Sequence, residues 1–454
     1  MSDAHEGHEG KAEAAFTSLR AQGIDVVRVI YSDIIGVDRA RDILLDHLPD
    51  ACGSGLSFCR AVYHTTPQGD VVPVTGGLEA GLPDIGVRLD LDTLHPLPWE
   101  PGVAWCLGDA YDHATGRAVP ESPRDLLRGV VDWCGRDQRA VVGPELEYYL
   151  CEPDTDPAST TGWRPYGPAP GNVYSAGRRG DPDRHLLRTM RHMKELDIGA
   201  IAGNHEFSSG QFEINLTHSY ALDAADRAFR FKAAVKEIAR TEGRMATFMA
   251  KPFNDEGGSG FHLHLSLVDA DGANVFDAPD EPYGLSKSAR YAIAGVLAHA
   301  PALAALLNPT VNSYKRFGPD TLAPWLIDWG LDNRSAMVRV PPERGAGARL
   351  EMRLGDAAAN PYLAVAGTLA AVGLGIRDKQ EPPAPLEGYG YGGDAPRLPG
   401  TLGEALDALA ADTRLGEVLG AAFTDSFLTY KRNEIERFQQ FITDWEFREY
   451  AVLM

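Results

Sequence analysis

The sequence predicts an α+β protein, a small N-terminal unit followed by one large C-terminal domain. Three observations carry that reading. The chain has 454 residues, too many for one compact core and enough for about two or three domains. Strand-like segments with period-two patterning are separated by long helical stretches. A stretch rich in Pro, Gly and Asp at 64–100 sets the N-terminal part apart from the rest.

Taken in order, Lys11–Gln22 reads as a helix after a short disordered start. Asp25–Tyr31 and Val37–Leu44 are β-rich around the turn Asp33-Ile34-Ile35-Gly36. Residues 64–100 read as loops and short strands at best, and the segment ending at Trp99-Glu100-Pro101 closes the small unit. We draw the domains as 1–115 and 116–454. A helix is expected over Pro123–Arg136, with Ser122 as its N-cap. Ala221–Glu242 and Tyr291–Leu307 are the clearest helices. Ala364–Ile376, rich in Ala and Gly, should be a buried helix, and 380–400 a Gly- and Pro-rich loop. There is no internal repeat, no G-x-x-x-x-G-K-[ST] phosphate loop and no convincing G-x-G-x-x-G after a strand.

Composition narrows the class. Apolar residues make up 44% and charged residues 24%, ordinary for a globular protein. The formal net charge of −21 repels phosphate backbones and anionic lipid, so neither nucleic acid nor a membrane is an expected partner. The cysteines, Cys52, Cys59, Cys106, Cys134 and Cys151, are odd in number and form no C-x-x-C pair. That pattern suits a reducing compartment. The polar start is the reverse of a signal peptide, and Tyr291–Leu307 is short for a bilayer. The cytoplasm is the expected location.

The informative feature is four segments that put metal- and phosphate-binding residue types on one strand face. In Gly143-Pro144-Glu145-Leu146-Glu147-Tyr148, two carboxylates share a face by period two. In Phe261-His262-Leu263-His264-Leu265-Ser266-Leu267, both imidazoles and the hydroxyl share one, backed by apolar residues. In Arg349-Leu350-Glu351-Met352-Arg353-Leu354, two guanidiniums flank a carboxylate. In Asn204–Glu213, a hairpin with Ser209-Gly210 at its tip would set Glu206 directly opposite Glu213. Like charges so placed repel unless a cation lies between them.

One such strand alone is usually a solvated face; four in one chain point to a joint function. Carboxylates with few His and no Cys suit hard ions such as Mg2+ or Mn2+. Arginines beside them match phosphate and carboxylate geometry. The set reads as a multi-metal, arginine-rich nucleotide site on an antiparallel sheet, suited to phosphoryl transfer.

The motifs themselves resemble glutamine synthetase of the bacterial type over nearly the whole length. They are GPELEYY at 143–149, HEFSSGQFEI at 205–214, GSGFHLHLSL at 258–267, NPTVNSYKRF at 308–317, NRSAMVRVP at 333–341 and RLEMRLGDAAANPYL at 349–363. The resemblance implies an N-terminal β-grasp domain and a C-terminal catalytic domain whose antiparallel sheet carries the active site. It also implies a homo-oligomer, a dodecamer of two hexameric rings, with sites between neighbouring subunits. Two or three Mg2+ or Mn2+ ions per site are implied, with ATP and L-glutamate as substrates. By the resemblance, Glu147, Glu206 and Glu213 hold one metal, and Glu145, His262 and Glu351 a second. Arg316 and Arg353 grip glutamate carboxylates, and the Gly258 backbone helps hold its amine. Arg334 stabilises the transferred phosphoryl group. Arg339, Arg349, His264 and Ser266 line the ATP phosphates. ATP would phosphorylate the γ-carboxylate, and an amine would then displace phosphate.

Departures from the family pattern fall on the amine side. The family's flap segment Tyr-Glu-Ala-Pro is here Thr321-Leu322-Ala323-Pro324, so Leu322 replaces an acid. The family's ammonium-binding Asp lies in a segment that is here Phe58-Cys59-Arg60-Ala61, with no acid. Gly257 stands where the family usually has Asn. Losing both acids removes the attraction for ammonium. The expected enzyme joins glutamate to a bulkier or less basic amine: alkyl, aryl, ethanolamine, hydrazine-like or polyamine. Leu322, Cys59 and Trp325 are its expected amine pocket. Ordinary glutamine synthetase and a catalytically silent ring protein remain the alternatives. The family's adenylylated Asn-Leu-Tyr loop is not apparent; Tyr389 and Tyr391 lie in the corresponding Gly-rich region.

Overall fold

A computed structural model describes residues 2–135, 137–157, 159–167, 171–319 and 321–453. The N-terminal sheet comprises β1 (Val26–Ser32), β2 (Asp38–Leu44), β3 (Leu56–Cys59), β4 (Asp84–Pro96) and β5 (Val103–Asp112). Their order is β2-β1-β5-β4-β3. The central β1–β5 pair is parallel and its flanking pairs antiparallel. With α1 (Ser2–Ala21) and α2 (Leu48–Ser54), this is the expected β-grasp arrangement. Alternation sorts its side chains. Val27, Val29, Tyr31, Ala104 and Cys106 form the unit's own core. Ile30, Trp105 and Leu107 point the other way and merge with the C-terminal core.

Two expectations here are corrected. The first helix begins at Ser2 rather than Lys11; the added segment has no Pro to stop it, and its two glycines lower helix propensity without breaking the helix. Residues 64–100 contain a 13-residue strand, β4. Ile85, Val87 and Leu89 alternate there with Gly86, Arg88 and Asp90, and loop-like composition hid that period.

The large sheet comprises β6 (Arg139–Pro153), β7 (Trp163–Pro165), β8 (Ala200–His205), β9 (Gln211–Leu216), β10 (Ser219–Tyr220), β11 (Met245–Thr247), β12 (Phe261–Val268), β13 (Trp329–Leu331), β14 (Val338–Val340) and β15 (Leu350–Met352). Its main path is β13-β14-β15-β12-β6-β9-β8, with β7, β10 and β11 also paired to β6. All pairs are antiparallel except β13–β14. Helices α3 (Pro123–Cys134), α4 (His185–Glu195), α5 (Ala221–Thr241), α6 (Lys287–Leu307) and α7 (Pro361–Asp378) follow, then α8 (Leu402–Ala411), α9 (Thr413–Leu419), α10 (Ala421–Gln440) and α11 (Asp444–Tyr450). The start of α3 is as expected, but the Ser122 hydroxyl does not cap it and donates to Asp125 instead, at 2.8 Å. The expected end at Arg136 lies outside the described residues. Helix α6 is long and apolar enough to cross a membrane, yet 83% of its most apolar window is buried in the protein. It packs on the largely buried α7 as a core helix.

The Asn-Pro-Tyr-Leu motif locks the two parts together. Asn360 caps α7 by accepting from the Tyr362 N–H at 3.0 Å, with Pro361 at the first helical position. Its amide then donates to Ser32 Oγ and to the Asp33 carbonyl, both at 3.0 Å.

Candidate active site

Strand register assembles the charged face. Glu145 on β6 lies opposite His262 on β12 and Asn215 on β9, and Glu147 lies opposite Glu213. On the far side of β12, His264 lies opposite Glu351 on β15, which in turn lies opposite Arg339 on β14. Leu146, Leu263, Leu265 and Met352 alternate to the other face and are buried in the core. So the same alternation that makes each strand amphipathic gathers the ionisable groups above the sheet.

The hairpin differs from expectation by two residues. Asn204 pairs with Glu213 and His205 with Phe212, so the turn spans 206–210 rather than Ser209-Gly210 alone. A two-residue shift preserves the face. Glu206 thus stays on the charged side, but Asn204, not Glu206, lies opposite Glu213.

Glu145, His262 and Glu351 form a group whose ligand atoms lie within 4.8 Å of one another. His262 Nδ1 is 2.8 Å from Glu145 Oε1 and 3.9 Å from Glu351 Oε1. Two carboxylates and an imidazole, with no thiolate, fit a divalent ion. Burial would raise both carboxyls. Hydrogen bonds from His262 and His264 outweigh it at Glu145 and hold that group well below the usual range. Arg353, His262 and His264 outweigh it at Glu351, which is drawn down to about 2. Both therefore stand ready as anionic donors.

Glu147, Glu206 and Glu213 do not close to the same degree among the described residues, and each accepts from an amide of its own surroundings. Gln211 Nε2 and the Gly260 N–H donate to Glu147 Oε2 at 3.0 and 2.8 Å. Asn204 donates to Glu206 at 2.6 Å, and Asn215 to Glu213 at 3.3 Å. Burial pushes Glu206 up to about 7, helped by Glu147. Burial, with Glu145, Glu147 and Glu206 nearby, pushes Glu213 up to about 9. Carboxyls so destabilised as anions are a cluster that calls for a cation.

Arginines form the opposite wall. Arg353 donates to Glu351 Oε1 at 2.6 Å, and Arg339 to Glu351 Oε2 at 2.5 Å and to Asp332 at 2.7 Å. The Nε of Arg353 is buried without a partner, a donor left over for an incoming anion. Arg316 is buried and bonds the Leu354 carbonyl at 3.3 Å. Glycines let it approach: a Cβ at Gly258 would lie 2.5 Å from Arg316 Cγ and 2.9 Å from the Ala250 carbonyl. A Cβ at Gly260 would lie 2.7 Å from His262 Nε2. Gly257 has its own reason, since a Cβ there would lie 2.8 Å from Ser208 Oγ. Arg334 is exposed on the loop between β13 and β14, close enough to Tyr174 to act on its hydroxyl along with Glu206 and Glu213. Arg349 donates to His264 Nδ1 at 3.2 Å and pairs with Glu343 at 3.0 Å. Ser266 follows His264 on the same face of β12.

The three expected amine-pocket residues each have a different neighbour among the described residues. Leu322 has a left-handed backbone, φ 59°, and an exposed side chain. Its carbonyl accepts from Arg353 Nη2 at 3.4 Å, which puts it beside the arginine wall. Trp325 is turned toward Arg397, whose guanidinium lies 5.4 Å from its ring. Cys59 is exposed on β3 of the N-terminal sheet, with Sγ 3.7 Å from the Leu82 carbonyl. Closeness in sequence suggested Trp325, and the neighbour its ring has is Arg397. The sequence reading also missed Asn204, Gln211 and Asn215. The period-two rule applied to β8 and β9 would have found them as amides between carboxylates.

Comparison with known proteins is consistent along the chain. A family model described as the glutamine synthetase catalytic domain matches residues 120–450. A glutamine synthetase from Halobacterium salinarum is 34% identical, covering 96% of each chain. One from Thermococcus kodakarensis is 36% identical, covering 95% of this chain and 98% of its own. A solved structure of apo GmaS without ligand has a TM-score of 0.83 at 34% identity, covering 95% of this chain and 98% of that one. A GmaS/ADP complex has a TM-score of 0.83 at 35% identity, covering 96% and 99%.

Proposed function

The chain belongs to the glutamine synthetase family and is an ATP-dependent carbon–nitrogen ligase, and we propose that it joins the γ-carboxylate of L-glutamate to an organic amine rather than to ammonia. The family uses glutamate, ATP and divalent metal in general. The observation that carries the amine reading is the flap. An exposed apolar Leu322 stands next to Arg353 where the family pattern has an acid. An ammonium ion is recognised by carboxylates, whereas an alkyl or aryl substituent is recognised by apolar surface. The resemblance to GmaS, one structure of which holds ADP, agrees with a nucleotide in the site.

In this reading Glu145, His262 and Glu351 hold one Mg2+ or Mn2+, and Glu147, Glu206 and Glu213 another, two or three ions in all. When bound, these ions offset phosphate charge. Arg353, with its free Nε, and the buried Arg316 bind glutamate carboxylate; close packing at Gly258 fixes Arg316 and leaves backbone for the substrate amine. Arg339, Arg349, His264 and Ser266 face the ATP phosphates. Arg334, exposed and without an ion-pair partner among the described residues, meets the charge that develops on the transferred group. Attack by the γ-carboxylate oxygen on the γ-phosphorus releases ADP and leaves an acyl phosphate. The amine nitrogen then attacks the acyl carbon, loses a proton and expels inorganic phosphate.

We also propose the boundary at 115/116, a double hexameric ring and a cytoplasmic location. Exposed Phe441, Ile442, Trp445, Phe447, Val452 and Leu453 are the kind of apolar surface that subunit contacts cover. The five unpaired cysteines suit a reducing compartment.

The relatives named glutamine synthetase favour a second reading, in which ammonia is the nucleophile. Phosphate release with glutamate, ATP and a panel of amines separates the two. Turnover with an organic amine well above that with ammonium supports the proposal; ammonium as the best substrate overturns it.

A further inference from the structure

The Gly- and Pro-rich segment from Leu386 to Leu398 has no role in the chemistry above, yet it is bonded to two active-site loops at once. On one side it meets the segment that leads to and carries Arg334. The Leu386 N–H donates to the Trp329 carbonyl at 2.7 Å. Asn333 Nδ2 donates to the Gly388 carbonyl at 2.6 Å, and the Gly390 N–H to Ser335 Oγ at 2.9 Å. On the other side it meets the residues that directly follow the flap. The Ile327 N–H donates to the Pro396 carbonyl at 2.8 Å, and the Leu398 N–H to the Trp325 carbonyl at 3.2 Å.

Between these attachments stands Tyr391. Its hydroxyl donates to the Ala323 carbonyl at 2.8 Å. The ring is half-buried, and the hydroxyl lies within electrostatic reach of Arg353 and Arg316. Two successive flap carbonyls are therefore each held by a side chain from outside the flap, that of Leu322 by Arg353 at 3.4 Å and that of Ala323 by Tyr391 at 2.8 Å. Leu322 needs such restraint. A non-glycine residue at φ 59° is strained and persists only where its surroundings impose it.

We propose that the 386–398 segment is a strap that sets the flap, and that Tyr391 is a positioning residue that fixes Leu322 in the second-substrate pocket. Releasing the Ala323 carbonyl lets Leu322 relax toward ordinary backbone angles and swings its side chain off the incoming amine. The inference rests on the reading of the flap as amine-facing.

The test is Tyr391→Phe, which removes one hydroxyl from a half-buried ring and keeps its packing. Steady-state kinetics are measured with the best amine found for the wild type, or with ammonium if that proves best. The expected result is a rise of about five-fold in KM for the nucleophile, the worth of one neutral hydrogen bond. Values of kcat at saturation and KM for ATP should stay within about twofold of wild type. Glutamate-dependent ATP hydrolysis without nucleophile should rise, because a loosened flap admits water to the acyl phosphate. A fall in kcat alone, or a set of unchanged constants, overturns the proposal. Ser335→Ala provides the control, since it loosens the strap on the Arg334 side. It should leave KM for the nucleophile within twofold, and an equal rise there would reduce the strap to general loop stability. If ammonium is the nucleophile and its KM still rises in Tyr391→Phe, the strap stands while the organic-amine reading falls.

Discussion

Replacing Glu213 by Gln should make the metal-free protein more stable and the metal-loaded enzyme worse. In the folded state without metal, the Glu213 carboxyl is pushed up to about 9 by burial and by Glu145, Glu147 and Glu206. In the unfolded chain it titrates near its ordinary value of about 4.5. Between those values the folded state binds more protons than the unfolded one, so stability falls as pH rises through the window. At pH 7 the accumulated cost spans the interval from about 4.5 to 7, or about 3 kcal/mol. Glutamine is neutral, nearly isosteric and still able to accept from Asn215, so it removes that cost. Unfolding midpoints in the presence of a chelator should show little difference between variant and wild type near pH 5. The gap should widen to a few degrees in favour of the variant at pH 7. Added Mn2+ should reverse the order, because only the wild type gains a charged ligand. A variant that is equal or less stable at pH 7 without metal, or an advantage that does not grow with pH, would refute the reasoning.

Gly258→Ala should cost about 1–3 kcal/mol of stability by overpacking, because its Cβ would lie 2.5 Å from Arg316 Cγ. It should also raise KM for glutamate about ten-fold if Arg316 moves; an unchanged KM would show that Arg316 does not hold that substrate. Glu351→Ala leaves Arg339 and Arg353 without the carboxylate they share and takes one ligand from the tight metal group. Metal affinity measured by calorimetry should fall by more than the roughly 10–100-fold typical of outer partners, with turnover lost; retained activity would show the assignment to be wrong. Leu322→Glu restores an acid to the flap. The ratio of kcat/KM for ammonium to that for an organic amine should rise about ten-fold, equal to about 1.4 kcal/mol of charge recognition; no change would remove Leu322 from the specificity determinants.

The charged face was legible in sequence because it depends only on period two. Glu145, Glu147, His262, His264 and Glu351 fall on one side of β6, β12 and β15 whatever the neighbouring strands do. What depends on pairing was less legible. The β8–β9 turn proved five residues long instead of two, and the shift went unseen because it preserves the face on which Glu206 lies. Strand β4 was missed because Gly, Asp and Arg on its alternate positions make it resemble a loop by composition. The amine side suffered most. Leu322 was found by its place in a motif, but Trp325 turns toward Arg397, a contact made by a segment some seventy residues away. The strap role of 386–398 had no sequence signal, since most of its bonds to the flap and the Arg334 loop are made by backbone groups that any residue possesses. The coupling of Asn360 to Ser32 and Asp33 was likewise a long-range contact inside a familiar motif.

The central claim concerns which nucleophile ends up on glutamate, and a competition measures it directly. Equimolar ammonium and the best organic amine from the panel are supplied with glutamate, ATP and Mg2+, and the products are separated and weighed by mass spectrometry. A γ-glutamyl amide of the organic amine as the dominant product is the predicted result. Glutamine as the dominant product would contradict it and return the chain to ordinary glutamine synthesis.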